Sequence, residues 1–176
     1  MKNYVYIATS LDGYIADIEE KLDWLPNPSE EINLEINYPE FINSIDAIVM
    51  GKNTFNIVCS FDVEWPYLKP VFVVSNSIKE VPEKYKGKIQ LLNGSVEDIL
   101  KEVHSKGYKN LYIDGGVNIQ NFLKQDLIDE IIITTIPILL GDGKPLFSKL
   151  SNRLNFECIS SSVDKGIVQS HFKRIK

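Results

Sequence analysis

Short apolar runs separated by helical patterns make up the hydrophobic and polar pattern of this chain. Runs rich in Val and Ile predict six strands, at residues 3–9, 45–50, 70–75, 89–92, 109–114 and 129–139. Several of these runs are almost continuously apolar, which is typical of strands covered on both faces. The pattern therefore predicts a mostly parallel sheet with helices on both sides.

Helical spacing of apolar residues recurs between the strands. Helices are predicted over residues 29–37, after Gly51, over 95–106 and over 117–124. The third begins with Ser95 as its N-cap and has Asp98 three positions later, which resembles a capping box. Pro39 breaks or restarts the first helix, because proline cannot continue the hydrogen bonding of a helix interior.

The C-terminal part of the chain changes character. Residues 155–175 contain two strand-like runs around Asp164-Lys165-Gly166, which predicts a β-hairpin whose glycine takes a positive φ. Strands alternating with helices and a closing hairpin predict an α/β fold with an antiparallel edge. A length of 176 residues fits one domain, 1–176, without internal repeats.

Composition and charge exclude several classes of protein. A net charge of −5 gives no electrostatic attraction for nucleic acid, so non-specific nucleic-acid binding is not expected. No apolar stretch approaches the roughly 20 residues that span a bilayer, and the N-terminus has no signal-peptide pattern. The two cysteines, Cys59 and Cys158, form no metal or disulfide framework. We expect a cytoplasmic protein that binds a small molecule, and neither nucleic acid nor membrane nor metal.

Two adjacent glycines follow a buried strand in "LYIDGGVNIQNFL" and open a helix. Free backbone N–H groups and the positive end of a helix meet at such a junction, which suits a phosphate. A tight turn without a ligand is the alternative for Gly115 and Gly116, because an isolated glycine pair is a weak motif.

Two further strand ends carry comparable chemistry. One strand is followed by Gly51, which lets a ligand approach the backbone, by the cation Lys52 and by the hydroxyl of Thr54. Another strand is followed by Ser, Asn and Ser at residues 75–77. Ligands of open α/β sheets bind beyond the carboxyl ends of the strands. Three such ends together favour an extended, phosphorylated ligand such as a dinucleotide.

Five segments in the same order carry a family resemblance: "ATSLDGYIA", "MGKNTF", "VVSNS", "IDGGVNIQNFL" and "TTIPILLGDGKPLF". With them the chain resembles the dihydrofolate-reductase-like fold, a three-layer α/β sandwich with a mostly parallel sheet and a C-terminal antiparallel hairpin. More narrowly, it resembles stand-alone relatives of the reductase domain of the bifunctional riboflavin-biosynthesis deaminase/reductase. The resemblance covers nearly the whole chain and implies an oxidoreductase that uses NADPH.

The resemblance implies a set of cofactor-binding residues. Ala8 and the loop through Ile15 would line the nicotinamide, and Ser75 and Asn76 would lie near the adenosine ribose. The pyrophosphate and adenosine side would meet Gly51, Lys52, Asn53 and Thr54, and the pyrophosphate would be cradled by Gly115, Gly116, Val117, Asn118 and Ile119. In this fold a cis peptide joins the paired glycines. The lysine and small donors, none of them acidic, favour NADPH over NADH.

Catalytic and substrate-binding candidates follow from the same resemblance. Asp12, Asp114 and Glu35 are the candidate catalytic acids, although Asp12 also suits a turn cap. Trp24, Glu31 and Thr134 are the candidate substrate residues. Thr134 matches a threonine that supports the substrate-binding acid of folate enzymes. For Glu31 and Glu35 a solvated helix surface is the alternative, and for Trp24 a core position.

The substrate remains open at this point. We expect hydride transfer to a small pterin-like, heteroaromatic or sugar-derived molecule. The alternatives are an authentic dihydrofolate reductase, an authentic 5-amino-6-(5-phosphoribosylamino)uracil reductase, and a non-catalytic dinucleotide-binding protein. A ribosyl phosphate usually calls for arginine, and Arg153 and Arg174 both lie near the C-terminal hairpin, which counts against a riboflavin precursor unless lysines substitute. The resemblance also implies a homodimer, to which the apolar run 131–140 could contribute.

Overall fold

The computed structural model describes residues 1–26, 36–61 and 63–176 of the chain. Its strands are β1 Lys2–Ser10, β2 Tyr14–Ala16, β3 Ala47–Gly51, β4 Val71–Val74, β5 Ile89–Leu92, β6 Asn110–Asp114, β7 Glu130–Ile136, β8 Lys144–Pro145, β9 Asn155–Asp164 and β10 Ile167–Ile175. Its α-helices are α1 Tyr38–Ser44, α2 Lys52–Ser60, α3 Val96–Ser105 and α4 Gly116–Lys124. The predicted helix over 29–37, with Glu31 and Glu35, falls almost entirely outside the described residues.

The main sheet has eight strands in the order β5-β4-β3-β6-β1-β7-β10-β9. The six strands from β5 to β7 are mutually parallel, and β10 pairs antiparallel with both β7 and β9. The sheet therefore confirms the predicted parallel α/β fold with an antiparallel C-terminal hairpin. Gly166 in the hairpin turn has a φ of 86°, as the sequence predicts.

Apolar side chains alternate between two cores, one on each face of the sheet. Val5, Val49 and Ile113 point into a core that α3 and α4 cover. Tyr6, Met50 and Tyr112 point into a second core, to which α1 contributes Phe41 and α2 contributes Phe55. Since β3 and β6 bury side chains on both faces, their continuous apolar runs are explained by position in the sheet.

Two further predicted elements differ from the structure in their ends. The predicted strand 129–139 stops at Ile136, because Pro137 follows and cannot donate to the sheet. Pro39 restarts a helix: α1 begins at Tyr38 with the proline in its first turn, where a missing N–H costs nothing. Within the described residues no helix is long and apolar enough to cross a membrane.

Candidate active site

The carboxyl ends of β4, β3, β6 and β1 lie next to one another along one edge of the sheet. Adjacent strands are about 4.8 Å apart, so four strand ends span roughly 15 Å, which suits an extended dinucleotide. This edge brings together the predicted residues after β3 and β4, the paired glycines after β6, and the loop after β1. The sheet order thus assembles segments that are far apart in sequence.

The paired glycines allow two segments to approach the start of α4. A Cβ on Gly115 would lie 2.4 Å from Oγ1 of Thr54, and Gly115 has a φ of 88°. A Cβ on Gly116 would lie 2.5 Å from Cδ1 of Ile15. Both contacts are closer than any Cβ tolerates, so glycine is required by a close neighbour at both positions and by a positive φ at the first.

The predicted cis peptide between these glycines is wrong. Every peptide bond in residues 1–26, 36–61 and 63–176 is trans. The chain turns from β6 into α4 through the positive φ of Gly115, so the turn does not need a cis bond. Thr54 and Ile15, which the resemblance assigns to opposite ends of the cofactor, here flank the same two residues.

The helices α2 and α4 begin side by side at this edge. Their N-caps are Gly51 and Gly115, and neither N-terminus, both within the described chain, has a side-chain cap. By contrast α3 has a complete capping box, in which Ser95 and Asp98 satisfy each other's backbone N–H groups. Uncapped N-termini leave their first N–H groups for a ligand, and two of them together suit a pyrophosphate.

Asn118 and Ile119 lie behind this pair of helix ends. The Asn118 amide donates to the carbonyl oxygens of Val49 (2.9 Å) and Asp114 (3.3 Å). Ile119 is fully buried in the core, and its N–H donates to the carbonyl of Gly115. Both residues therefore hold α4 against β3 and β6, while Val117 is exposed beside them.

Lys52 connects the ends of β3 and β4. Its Nζ donates to Oγ of Ser77 at 3.1 Å, and Oγ of Ser75 lies 3.4 Å from the same hydroxyl. The Ser75 hydroxyl also accepts from the backbone N–H groups of Ser77 and Ile78, which fixes the loop. Asn76 is exposed in this loop, and Asn53 is exposed on α2, 3.5 Å from a Glu20 carboxylate oxygen. A cation from the start of α2 and two hydroxyls from the loop after β4 thus converge at the ends of these two strands.

Asp12 joins the loop after β1 to the loop after β7. Its carboxylate accepts from the Ser10 hydroxyl at 2.6 Å and from the N–H groups of Leu140 (3.2 Å) and Gly141 (2.8 Å). The Ser10 hydrogen bond, followed by these backbone donors, lowers the pKa of Asp12. The side chain is exposed, and its acceptor sites are occupied by loop contacts. This geometry matches the turn-cap alternative and stabilises the ionised carboxylate.

Asp114 is the half-buried carboxyl group at the end of β6. One of its oxygens accepts from the N–H of Gly115 at 2.8 Å. Burial raises the pKa of Asp114 to about 6, and the Gly115 N–H and the Tyr112 hydroxyl only partly oppose this rise. Asp114 therefore changes protonation near neutral pH, as a proton donor in catalysis must.

Thr134 belongs to a buried chain of polar groups. It pairs with Ala8 in the register of β7 and β1, and its hydroxyl accepts from Nε2 of Gln169 at 3.1 Å. The same Nε2 lies 3.2 Å from the Tyr6 hydroxyl, which donates to the carbonyl oxygen of Ile36. The chain of hydrogen bonds ends where the described residues stop, next to the segment that contains Glu31 and Glu35.

Trp24 lies in the described part of the chain before that segment. Its ring is half-buried, and its buried Nε1 has no hydrogen-bond partner among the described residues. A buried indole N–H usually finds a partner, so this group is available to an acceptor.

The tyrosines around Asp114 were missed by sequence reasoning. Tyr112 lies two residues before Asp114 on the same strand, and alternate strand residues share a face. This spacing was the available signal. Tyr67 and Tyr38 come from other segments, and the raised pKa of Tyr67, caused by burial and then by the charges of Asp114 and Tyr38, shows that the three groups are close.

Comparisons with known proteins identify relatives of this chain and of its fold. The model of the RibD C-terminal domain matches residues 4–169. YwjB of Bacillus subtilis (strain 168) is 32% identical over 176 residues, covering 98% of each chain. A protein from Shewanella sp. PV-4 named for riboflavin biosynthesis is 49% identical, with a TM-score of 0.92 over 100% of both chains. Dihydrofolate reductase from Enterococcus faecalis, complexed with NADP(H), shares the fold: TM-score 0.68, 17% identity, 99% of this chain and 97% of that one.

Proposed function

This chain belongs to the RibD C-terminal domain family, a family of reductase domains, and on that premise we propose that it is an NADPH-dependent reductase. It transfers a hydride to a small heteroaromatic, pterin-like or sugar-derived substrate. The observation that carries the proposal is the pair of uncapped helix N-termini, with Gly51 and Gly115 as N-caps, at the ends of neighbouring strands.

The residues present fit a dinucleotide. Glycines stand where a Cβ would collide with Thr54 or Ile15, and the N-terminus of α4 has no side-chain cap, so its first helical N–H groups would suit a phosphate. Lys52 and the hydroxyls of Ser75 and Ser77 offer a cation and donors at the next strand end. Phosphate is recognised by such charged and neutral donors, which favours NADPH, with its 2′-phosphate, over NADH.

The loops after β1 and β7 form the other end of the proposed cofactor site. Leu11 N–H donates to the Ile138 carbonyl and Leu146 N–H to the Gly13 carbonyl, so the two loops are bound together on both sides of Asp12. Bound nicotinamide supplies the hydride. Ala8 and Ile15 would orient it, and the joined loops would exclude water from the site. Asp12 acts here as a positioning residue that holds the loops in place.

Asp114 is the catalytic acid that we propose. Its carboxyl group is half-buried at the strand end beside the glycines, and its pKa of about 6 leaves a protonated fraction near neutral pH. Protonation of the substrate must accompany hydride delivery when the acceptor is a C=N or C=O group. Glu35 and Glu31 stay predictions, because both lie outside the described residues.

The position of the Asp114 carboxyl group helps to distinguish the alternative functions. Carboxyl groups whose pKa is raised by burial are concentrated at catalytic sites, and Asp114 lies at the strand end beside Gly115, so it favours an enzyme over a non-catalytic dinucleotide-binding protein. An authentic dihydrofolate reductase would need a further acid from the segment before α1, next to the Thr134 and Gln169 hydrogen bond. An authentic riboflavin-pathway reductase would need cations for a ribosyl phosphate.

Cofactor binding is the first test of this proposal. Titration of the protein with NADPH, NADP⁺ and NADH is expected to show saturable binding, which is tightest for the two nucleotides that carry a 2′-phosphate, NADPH and NADP⁺. Loss of NADPH absorbance is then followed with dihydrofolate and with 5-amino-6-(5-phosphoribosylamino)uracil. Failure to bind any of the three nucleotides would refute the proposal, and binding without oxidation by any pterin or pyrimidine would favour the non-catalytic alternative.

We also propose that the protein is a homodimer. Ile138 and Leu139 after β7, and Phe147 after β8, are large apolar side chains that remain exposed on one copy. The strand part of the apolar run is internal to the sheet, between β1 and β10, so only its following loop can contribute to an interface. Exposed apolar residues that lie near each other in sequence are typical of a contact surface.

A further inference from the structure

The two-stranded ribbon of β2 and β8 lies against α4, the helix that begins at the paired glycines. Ile15 of β2 is so close to Gly116 that an added Cβ would lie 2.5 Å from the Ile15 Cδ1 atom. The Gln120 side chain of α4 donates to the Pro145 carbonyl oxygen of β8 at 2.8 Å. Both strands of the ribbon are therefore held at the edge of the sheet where we propose the cofactor.

The loop that follows β2 is a compact turn with Glu20 at its tip. The Asp17 carboxylate accepts from the backbone N–H groups of Glu19 and Lys21, both at 2.8 Å. The N–H of Glu20 donates to the Asp17 carbonyl oxygen, and Glu20 has a φ of 66°, which is uncommon for a residue other than glycine. The Glu19 side chain pairs with Lys21 inside the loop, whereas the Glu20 side chain contacts two other elements.

The Glu20 carboxylate lies between the start of α2 and a lysine of β8. The Asn53 side-chain amide, in the first turn of α2, donates to one carboxylate oxygen at 3.5 Å. The other oxygen is 3.7 Å from Nζ of Lys144. The N-terminus of α2 has no side-chain cap. A negative charge of the chain itself thus stands at the helix start where we propose a cofactor phosphate, because both groups are attracted by the same helix end.

Both contacts of Glu20 are weak. Their distances are long for a hydrogen bond and an ion pair, and the side chains of Glu20 and Lys144 are 47% and 48% exposed. Ion pairs that are exposed to this degree contribute little to stability. The pyrophosphate of a dinucleotide carries more negative charge than one carboxylate and accepts strong charge-assisted hydrogen bonds. A phosphate is therefore able to replace Glu20 between Asn53 and Lys144.

We propose that Lys144 and Asn53 bind a phosphate of the cofactor, and that Glu20 is an internal competitor that occupies their donors until the cofactor displaces it. This inference rests on the proposed reductase function and specifies how the cofactor site of that function is regulated. The Glu20 carboxylate repels the incoming phosphate and pairs with the lysine that would attract it. Glu20 therefore lowers the affinity for nucleotide, whereas Lys144 raises it.

Removing the competing charge is the first test of this inference. Glu20→Gln keeps the size of the side chain, and we expect it to bind NADP⁺ about threefold to tenfold more tightly than the unmodified protein, by calorimetry at low ionic strength. Glu19→Gln is the matched control, because it removes the same charge from the neighbouring position, where the side chain pairs with Lys21. Equal affinities of the two variants, or weaker binding by Glu20→Gln than by the unmodified protein, would overturn the inference.

Removing the cation is the second test. We expect Lys144→Ala to bind NADP⁺ about threefold to tenfold more weakly than the unmodified protein, because a charged donor to the phosphate is lost. Lys149→Ala, which removes an exposed lysine from the loop after β8, is the control and should leave the affinity unchanged. Undiminished binding by Lys144→Ala would overturn the role of Lys144. Binding of no nucleotide by the unmodified protein or any variant would contradict the reductase proposal as well, whereas nucleotide binding that neither substitution alters would overturn this inference alone.

Discussion

Replacing Gly115 with alanine tests whether the glycine pair is required by backbone conformation and close approach. Gly115 has a φ of 88°, which costs an L-residue about 1–3 kcal/mol. The new Cβ would also lie 2.4 Å from Oγ1 of Thr54, and overpacking of this kind costs about 1–3 kcal/mol more. We therefore expect Gly115→Ala to lower the free energy of unfolding by about 2–6 kcal/mol.

Gly87→Ala is the matched control for this change. Gly87 has a φ of 77°, and nothing lies within 4 Å of its added Cβ. The control carries the conformational cost of about 1–2 kcal/mol without the steric one. Urea unfolding followed by circular dichroism, without cofactor, measures both variants. The difference between them isolates the contact with Thr54.

The double variant Gly115→Ala/Thr54→Ala completes the cycle. Removing the Thr54 hydroxyl leaves Gly51 N, at 3.6 Å, among the nearest atoms to the new Cβ, which is an ordinary contact. We expect the double variant to recover about 1–3 kcal/mol relative to the sum of the single changes. Equal losses for Gly87→Ala and Gly115→Ala, or additive losses in the double variant, would refute the close approach of α2 and α4.

Three further outcomes follow from the site. The pKa of Asp114 is raised in the folded state, so its ionisation lowers stability as pH rises from about 4 to about 6. The titratable groups that Asp114 faces are Tyr38, Tyr67 and Tyr112. In urea unfolding we expect Asp114→Asn to be about 1–3 kcal/mol more stable than the unmodified chain at pH 7 and little changed at pH 4. Its reductase rate should lose the fall above pH 6 that the unmodified enzyme shows, and an unaltered pH profile would rule out Asp114 as the acid. Lys52→Ala should weaken NADPH binding by about 1–3 kcal/mol and leave NADH binding nearly unchanged, with exposed Lys101→Ala as control; equal losses for both nucleotides would place Lys52 on the pyrophosphate. Light scattering at micromolar concentration should give a dimer mass that Leu139→Glu reduces to a monomer mass, whereas a monomeric unmodified protein would contradict the homodimer.

Most of the fold could be predicted because its signals are local. Strands buried on both faces need continuous Val and Ile, and Ser95 with Asp98 is a self-contained cap, which the structure confirms. The glycine pair was recognisable for a related reason, since few other positions explain glycine after a buried strand. The cis bond was wrong because residue type does not distinguish it from a trans turn with a positive φ at Gly115.

The site residues that sequence reasoning interpreted less well depend on distant partners. The Asp12 carboxylate is bound by N–H groups 128 and 129 positions away, so its role in joining loops is invisible in its own turn motif. Asn118 is a predicted pyrophosphate contact, and its sequence position gave no sign that its amide donates to the Val49 carbonyl oxygen of β3. Tyr67 lies in an irregular segment with no periodic pattern, and only the folded chain brings it near Asp114.

The two halves of the proposed site differ in how they treat charge. The ends of β3 and β4 attract anions through the N-terminus of α2, Lys52 and the hydroxyls of Ser75 and Ser77, whereas the end of β6 places the Asp114 carboxyl group against the N–H of Gly115. The phosphates of a polyanionic cofactor are therefore attracted most strongly towards β3 and β4, which would orient the cofactor along this edge of the sheet.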